Sequence, residues 1–225
     1  MKKVWIYVIF FLALTGLFMF YVLKDYDFSR SKLAVINQAV PAFSFIDQDG
    51  KQITNKTVQN KVYVAEYFFT TCKGICPKMN ANMRRVFETF KDEPGFMILS
   101  HTCMPETDSV PVLKLYEKKM LISKLVRRND GSYSFSGVMD KPLAENKNWF
   151  FLTGEKGDLY KLARSGYMID NGKPDTSQLK DQFIHTQFFA LVDKQGRVRG
   201  IYDGLLSDEV DQLMLDIQTL LAERV

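Results

Sequence analysis

The sequence predicts an α/β fold, and three observations carry this prediction. Residues 61–69 are apolar on both faces, which is typical of a strand buried in a mixed or parallel sheet. Residues 77–90 repeat apolar side chains at helical spacing behind Pro77, a residue that suits the first turn of a helix. Strands and helices then continue to alternate and end in a hairpin and a helix, which is the order of an α/β domain.

The other predicted elements follow from turn and cap signals. The polar turn 47–50 closes a short strand at 42–46, and the turn 193–196 joins two apolar runs into a hairpin. Ser207 is the expected N-cap of the last helix. The remaining predicted elements are strands at 95–102, 149–152, 188–192 and 197–202, and helices at 112–126 and near 158–163.

The first residues predict a membrane anchor. Val4–Leu23 is a run of twenty residues without a charge, and about 20 helical residues span the hydrocarbon core of a bilayer. Lys2 and Lys3 precede the run, so the positive-inside rule places the N-terminus in the cytoplasm and the rest on the outer, periplasmic-type face. A cleaved signal peptide is the alternative, but the run ends in bulky side chains rather than a small-residue cleavage site.

These patterns divide the chain into an anchor at 1–23, a polar linker at 24–40 and one domain at 41–225. The composition is that of a globular protein, with 46% apolar and 25% charged residues. The net charge is only +4, without an arginine-rich helix or basic stripe. Nucleic acid is therefore not an expected partner.

Two cysteines follow the buried strand and precede the helix. Cys72 and Cys76 should lie at the N-terminus of that helix, where unpaired N–H groups and the helix dipole favour thiolates and lower the thiol pKa. Together with His185 they form a donor set for a soft metal, above all Cu(I). The two thiols also suit a dithiol/disulfide cycle. The sequence leaves open whether the loop of His185 lies at the cysteine end of the sheet.

The chain resembles the SCO/SenC family of copper chaperones for cytochrome c oxidase assembly. The C-x-x-x-C-P turn and the histidine before a strand are the most specific parts of the resemblance. The matching pieces run in order along most of the domain: Val40–Phe43, Asp47–Gly50, Phe68–Cys72, Cys76–Pro77, Ser100–Thr102, Pro105–Ser109, Trp149–Gly154, Ile184–Thr186, Leu191–Asp193 and Ile201–Gly204.

The resemblance implies a thioredoxin-like fold, with a mixed central sheet flanked by helices. It implies copper, as Cu(I) or Cu(II), on Cys72, Cys76 and His185. The function implied is delivery of copper to, or preparation of, the dinuclear copper site of cytochrome c oxidase. The expected partner is then the copper-site subunit of the oxidase, or another copper or thiol protein.

Two other functions stay open beside the copper chaperone. In a membrane-tethered thiol:disulfide oxidoreductase, Cys72 and Cys76 would be the catalytic redox pair, and the chain would be an enzyme. Thioredoxin-type reductases carry a proline before the strand that faces the cysteines, and residues 183–187 have none. This favours metal binding. The two functions are compatible, because a copper acceptor made of cysteines must be reduced before it is loaded. A peroxidase would need an arginine-assisted thiol, which the sequence does not offer.

The chain departs from the family pattern in two places. Cys103 and Met104 stand where the family has valine and aspartate, and residues 121–147 form an insertion with a hairpin turn at 129–132. We expect the insertion to be an inert loop rather than a partner-binding flap. Because a helix connects strands 61–69 and 95–102, they should be parallel, so their ends lie at one edge of the sheet. Cys103 and Met104 are then auxiliary candidates for a transient Cu(I) position. The alternative is that Cys103 is a small core residue and that Met104 fills a gap in the packing.

Two further residues invite a functional and a structural interpretation. Glu66 stands six residues before Cys72 in a strand that should be buried, where thioredoxins place an acid that moves protons for the cysteine pair. The alternative is an edge residue or a salt-bridge partner, since a buried carboxylate is costly. We expect His101 to be a residue at the end of its strand rather than a copper ligand.

Overall fold

The computed structural model describes residues 2–23, 33–140, 146–170 and 186–223. Helix α1, Lys2–Leu23, belongs to one unit and residues 33–223 to another. Val4–Tyr21 within α1 has a mean hydropathy of 2.2 and is long and apolar enough to cross a membrane. Membrane anchors and signal sequences share this property.

The second unit is built on a five-stranded mixed sheet, as the sequence predicts. Its strand order is β7-β4-β3-β8-β9, with β4 parallel to β3 and β7, and β8 antiparallel to β3 and β9. A separate hairpin precedes it. The bounds are β1 Ser44–Ile46, β2 Gln52–Thr54, β3 Val62–Phe68, α2 Cys76–Phe90, β4 Phe96–Thr102, α3 Val110–Ile122, β5 Ser123–Arg127, β6 Tyr133–Val138, β7 Trp149–Leu152, α4 Lys156–Lys161, a π-helical turn Leu162–Gly166, β8 Phe188–Val192, β9 Val198–Asp203 and α5 Ser207–Ala222.

The central strand β3 is buried at every position, because both faces of the sheet are covered. Val62, Val64 and Phe68 face a core shared with α2, α3 and α5. Tyr63 and Tyr67 face a second core built with β1 and α4. The predicted apolar stripe of α2 is buried as expected: Met79, Met83, Val86, Phe87 and Phe90.

The predicted helix 112–126 is wrong in its last turn. The chain becomes extended at Ser123, and residues 123–127 form β5, which pairs with β6. Leu125 lies opposite Phe135, so a cross-strand partner outweighs the local helical pattern. The turn at 129–132 is confirmed, with Gly131 at a positive φ of 79° that glycine adopts without strain.

Ser207 does not cap α5 as predicted. It is the first helical residue and Leu206 occupies the cap position. The Ser207 hydroxyl instead donates a hydrogen bond to the Gly131 carbonyl oxygen at 3.1 Å. A tertiary contact with the β5–β6 hairpin therefore replaces the local cap.

His101 is packed inside an aromatic cluster on the β1 and α4 side of the sheet. Its ring stacks on Tyr67 at 5.0 Å and meets Phe45 and Tyr167 edge-on at 5.5 and 5.4 Å. Burial lowers the pKa of His101 to about 4, so the ring is neutral at neutral pH. The position is that of a packed strand residue.

Glu66 is fully buried on the opposite face of the neighbouring strand. Ser100 donates its hydroxyl to Glu66 Oε1 at 2.5 Å, and Trp149 Nε1 donates to Ser100 Oγ at 2.8 Å. Among the described residues, Oε2 has no hydrogen-bond partner. Burial raises the pKa of Glu66 to about 8, against the opposing effect of Ser100, so the carboxyl is protonated at neutral pH. Its burial in the central strand excludes an exposed edge position.

The parent chain should lose stability in acid because of His101, and His101→Phe should abolish this loss. The unfolded histidine binds its proton near pH 6.5 and the folded one only near pH 4, so the free energy of unfolding falls as pH drops between these values. The loss amounts to roughly 3 kcal/mol, which the phenylalanine variant should not show. Urea unfolding at pH 4, 5.5 and 7 measures it. Parallel pH profiles in both proteins would contradict the prediction.

Glu66→Gln should have the opposite pH signature. The unfolded carboxyl ionises near pH 4.5 and the folded one near pH 8, so the free energy of unfolding falls as pH rises between these values. Glutamine resembles the protonated acid and should be more stable than the parent at pH 7, by roughly 3 kcal/mol, and equal to it at pH 4. The same urea titrations test this, and an equal destabilisation at both pH values would refute it.

Candidate metal centre

The turn between β3 and α2 carries both predicted thiols. The Cys72 backbone N–H donates to the Phe69 carbonyl oxygen at 3.2 Å, which closes the chain back on the end of β3. Cys76 is the first residue of α2, and Pro77 follows it in the first turn. Both cysteines therefore lie at the N-terminal end of this helix, as the sequence predicts. All three cysteines are thiols in the structure.

The thiols line one cleft of about 280 Å³ at the carboxyl end of β3. Cys72 is half-buried, whereas Cys76 and Cys103 are only 4% and 2% exposed. The other lining residues are Tyr67, Phe68, Phe69, Lys73, Gly74, Ile75 and Thr186. The cleft thus combines sulfur donors with a largely apolar wall.

Thr186 brings the segment before β8 to the cysteine end of the sheet. Because β8 runs antiparallel to β3, with Ala190 opposite Ala65, the start of β8 lies beside the end of β3. Thr186, the first described residue before β8, therefore lies at the cysteine end of the sheet. His185 itself lies outside the described residues, and its chain neighbour Thr186 is part of the cleft wall.

The buried thiol of Cys76 is protonated, against the prediction of a lowered pKa. Burial raises its pKa, and the hydrogen bond with the Cys72 side chain raises it further. The Phe69 backbone N–H lowers it but does not compensate. The loss of hydration therefore raises the pKa of Cys76 by more than the helix N-terminus lowers it. A metal ion would have to displace the proton in order to bind.

Cys103 shares the cleft but lies on the other side of the strand end. Its backbone N–H donates to the Phe68 carbonyl oxygen at 2.8 Å, while the next N–H, that of Phe69, reaches the Cys76 sulfur. The C=O and N–H of one trans peptide point in opposite directions. Across the described residues, no three histidine, cysteine, aspartate or glutamate side chains are arranged to hold a metal ion. Met104 does not line the cleft.

Glu66 lies on the same sheet face as α2, and above its own pKa of about 8 the ionised carboxylate raises the pKa of Cys76. The pKa of Cys103 is also raised well above its usual range, first by burial and then by Cys76, Asp108 and Cys72. The roles of Cys103 and Met104 in copper transfer, and of Glu66 in moving protons, stay predictions.

The structure adds Asp108, a residue that sequence reasoning missed as part of the site. Its buried carboxylate accepts hydrogen bonds from Thr70, two residues before Cys72, and from Thr102 at the end of β4. Asp108 belongs to one of the family-like pieces of the sequence. Its reach across 38 positions to Thr70 is visible only in the fold.

Comparison with known proteins finds similar proteins of one family. A family model described as SCO1/SenC matches residues 33–124. The SCO1 protein homolog of Bacillus subtilis (strain 168) is 28% identical over 186 residues, covering 82% of this chain and 83% of that protein.

Solved structures share the fold over almost their whole length. BsSco is a member of the Sco family of cytochrome c oxidase assembly proteins in which a disulfide switch has been identified. Its structure is 25% identical in sequence, has a TM-score of 0.62 and covers 87% of this chain and 100% of that chain. ScoI of Arabidopsis thaliana, solved with copper bound, shows the same fold at 19% identity and a TM-score of 0.54, covering 80% and 99%. The family model, the bacterial homolog and the solved structures together show that the chain is similar to SCO1/SenC proteins and has their thioredoxin-like fold.

Proposed function

We propose that this chain binds copper through Cys72, Cys76 and His185 and takes part in assembling the dinuclear copper site of cytochrome c oxidase. One observation supports it most directly: the two thiols and the segment entering β8 form the wall of a single cleft. Copper is the cargo of the protein rather than a resident cofactor. Copper-bound and oxidase-assembly relatives of the same family support this choice of ion and partner.

The donor set fits a soft ion. Thiolates prefer Cu(I), and imidazole accepts copper in either oxidation state. The apolar wall of Phe68, Phe69 and Ile75 keeps water from the deeper thiol, so a protonated Cys76 is stable until a cation arrives. As each Cu–S bond forms, the thiol gives its proton to solvent. Ligand exchange at the half-buried Cys72 would then pass the ion to an acceptor.

A second function, thiol:disulfide exchange, is supported by the contact between the two thiols. Cys76 hydrogen bonds to the Cys72 side chain, so the pair is close to the arrangement that a disulfide requires. Oxidation would join the sulfurs, release two protons and two electrons to an acceptor, and remove both thiolates from the donor set. Reduced protein would hold copper and oxidised protein would not. The same pair could reduce the cysteines of an acceptor, which would make the chain an enzyme.

The proposal places the domain outside the cytoplasm, tethered by α1. The helix window Val4–Tyr21 is long enough for an anchor, and Lys2 and Lys3 precede it. The positive-inside rule orients such a helix with its N-terminus in the cytoplasm. An N-terminus beyond Leu23 in the mature protein would contradict the anchor.

The reduced chain should bind about one Cu(I), and Cys72→Ser or Cys76→Ser should abolish tight binding because one thiolate cannot replace two. His185→Ala should weaken binding severely. His101→Phe is the matched control, because the chain has only two histidines and His101 is packed in the aromatic cluster. Anaerobic titration against a coloured Cu(I) chelator gives stoichiometry and affinity. Full binding by the Cys76→Ser protein would refute the assignment.

Mild oxidation should join Cys72 to Cys76 and prevent copper binding, since a disulfide sulfur is a poor ligand compared with a thiolate. Peptide mapping of the oxidised chain identifies the bridge, and copper titration before and after reduction measures its effect. A dominant bridge to Cys103 would show instead that the third thiol belongs to the redox chemistry.

A further inference from the structure

We propose that Asp108 is a positioning residue that holds the Cys72–Cys76 turn in the arrangement needed to bind a metal ion. This inference rests on the proposed copper function. It concerns a residue outside the donor set, in the segment between β4 and α3. Asp108 acts through Thr70, which lies in the turn two residues before Cys72.

Three hydrogen bonds converge on the Asp108 carboxylate. Thr70 donates its hydroxyl to Oδ1 at 2.5 Å and its backbone N–H to Oδ2 at 3.1 Å. Thr102 donates its hydroxyl to Oδ2 at 2.5 Å. The carboxylate is fully buried. Together these three hydrogen bonds link the end of β3 to the end of β4.

The contact with Thr70 restrains the part of the turn that leads to the thiols. Lys73, Gly74 and Ile75 are exposed and lack the packing that fixes β3 and α2 on either side. Thr70 is held at both its side chain and its backbone. The position of Cys72 relative to Cys76 therefore depends on where Asp108 holds Thr70.

The Asp108 segment is itself fixed on the sheet. The Asp108 backbone N–H donates to the Met104 carbonyl oxygen at 2.9 Å, and the Met104 N–H donates to the Thr102 hydroxyl at 3.0 Å. Thr102 is the last residue of β4, whose pairing with Phe68 is part of the central sheet. The Asp108 side chain thereby connects the exposed turn to β4, in addition to the backbone that joins the turn to β3.

Freeing Thr70 should weaken copper binding without removing a ligand. A turn that is no longer restrained samples conformations in which the two sulfurs cannot share one ion, and binding must then select the competent ones. Ordering one released residue costs about 1–2 kcal/mol, which corresponds to roughly a tenfold weaker affinity.

The test compares two threonines that donate to the same carboxylate. Thr70→Val removes the hydroxyl hydrogen bond on the cysteine turn and keeps the backbone one, and Thr102→Val removes a hydroxyl bond of equal length on β4. Cu(I) affinity is measured by anaerobic chelator competition with the full chain, and the free energy of unfolding by urea titration. Thr70→Val should weaken Cu(I) binding roughly tenfold. Thr102→Val also frees the Met104 N–H and should lose at least as much stability. It should nevertheless keep its affinity within about twofold, because both bonds from Thr70 to Asp108 remain.

Asp108→Asn should weaken Cu(I) binding at least as much as Thr70→Val. Combining the two substitutions should add little, because both break the same contact. Asp47→Asn is the matched control: Asp47 is also buried and accepts backbone N–H bonds from Asp49 and Lys51, at 2.9 and 2.8 Å, in the β1–β2 turn. It should lower stability and leave the Cu(I) affinity unchanged.

An unchanged Cu(I) affinity in Thr70→Val would overturn the proposal. This holds even if Asp108→Asn binds Cu(I) more weakly, because that loss would then come from the missing charge and not from the contact with Thr70. Equal losses in Thr70→Val and Thr102→Val would also overturn it. A failure of the copper function gives a different result, namely full Cu(I) binding by the Cys76→Ser chain. If Asp108→Asn does not fold, the threonine pair still decides.

Discussion

The peptide groups at the carboxyl end of β3 determine where every thiol of this protein lies. The Phe68 carbonyl oxygen holds the backbone of Cys103, the Phe69 N–H reaches the Cys76 sulfur, and the Phe69 carbonyl oxygen holds the backbone of Cys72. β3 and β4 end together at the pair Phe68 and Thr102, so the peptide groups just beyond Phe68 meet the segments that leave the sheet. The central position of β3 in the sheet thus makes one strand end the organising centre of the site.

Burial sets the chemistry of these thiols more strongly than the helix that follows them. A helix N-terminus favours thiolate, but Cys76 is desolvated and keeps its proton. A protonated buried thiol is a weaker nucleophile than an exposed thiolate. A cation that enters the cleft replaces the proton and pairs with the charge it creates, so the same burial suits a metal-binding site. Cys72, which is half-buried, is the thiol better placed for exchange with a partner.

Much of the fold follows from local pattern and topology. The apolar run 61–69 and the stripe from Met79 to Phe90 predict β3 and α2, and the connecting helix predicts that β3 and β4 are parallel. The residues that differ from expectation are those whose conformation depends on distant partners. Leu125 is extended because Phe135 lies opposite it, and Ser207 bonds to Gly131 instead of capping its helix.

The candidate site shows the same division. The spacing of Cys72 and Cys76 before a helix is a local signal, and it places both thiols correctly. The depth of Cys76 and the contact of Asp108 with Thr70 arise from packing between segments far apart in sequence, which no spacing rule reports. Glu66 could be predicted only in part. The apolar strand around it predicts its burial, but Ser100 and Trp149, which complete its hydrogen-bond chain, come from two other strands.

The central claim is that the two cysteines and His185 together hold the ion. X-ray absorption at the copper edge of the reduced, Cu(I)-loaded full chain examines the donor atoms directly. The account predicts two sulfur scatterers and one imidazole nitrogen, with the nitrogen absent from the His185→Ala spectrum. A first shell without sulfur, or one in which three sulfurs replace the nitrogen in the parent chain, would contradict it.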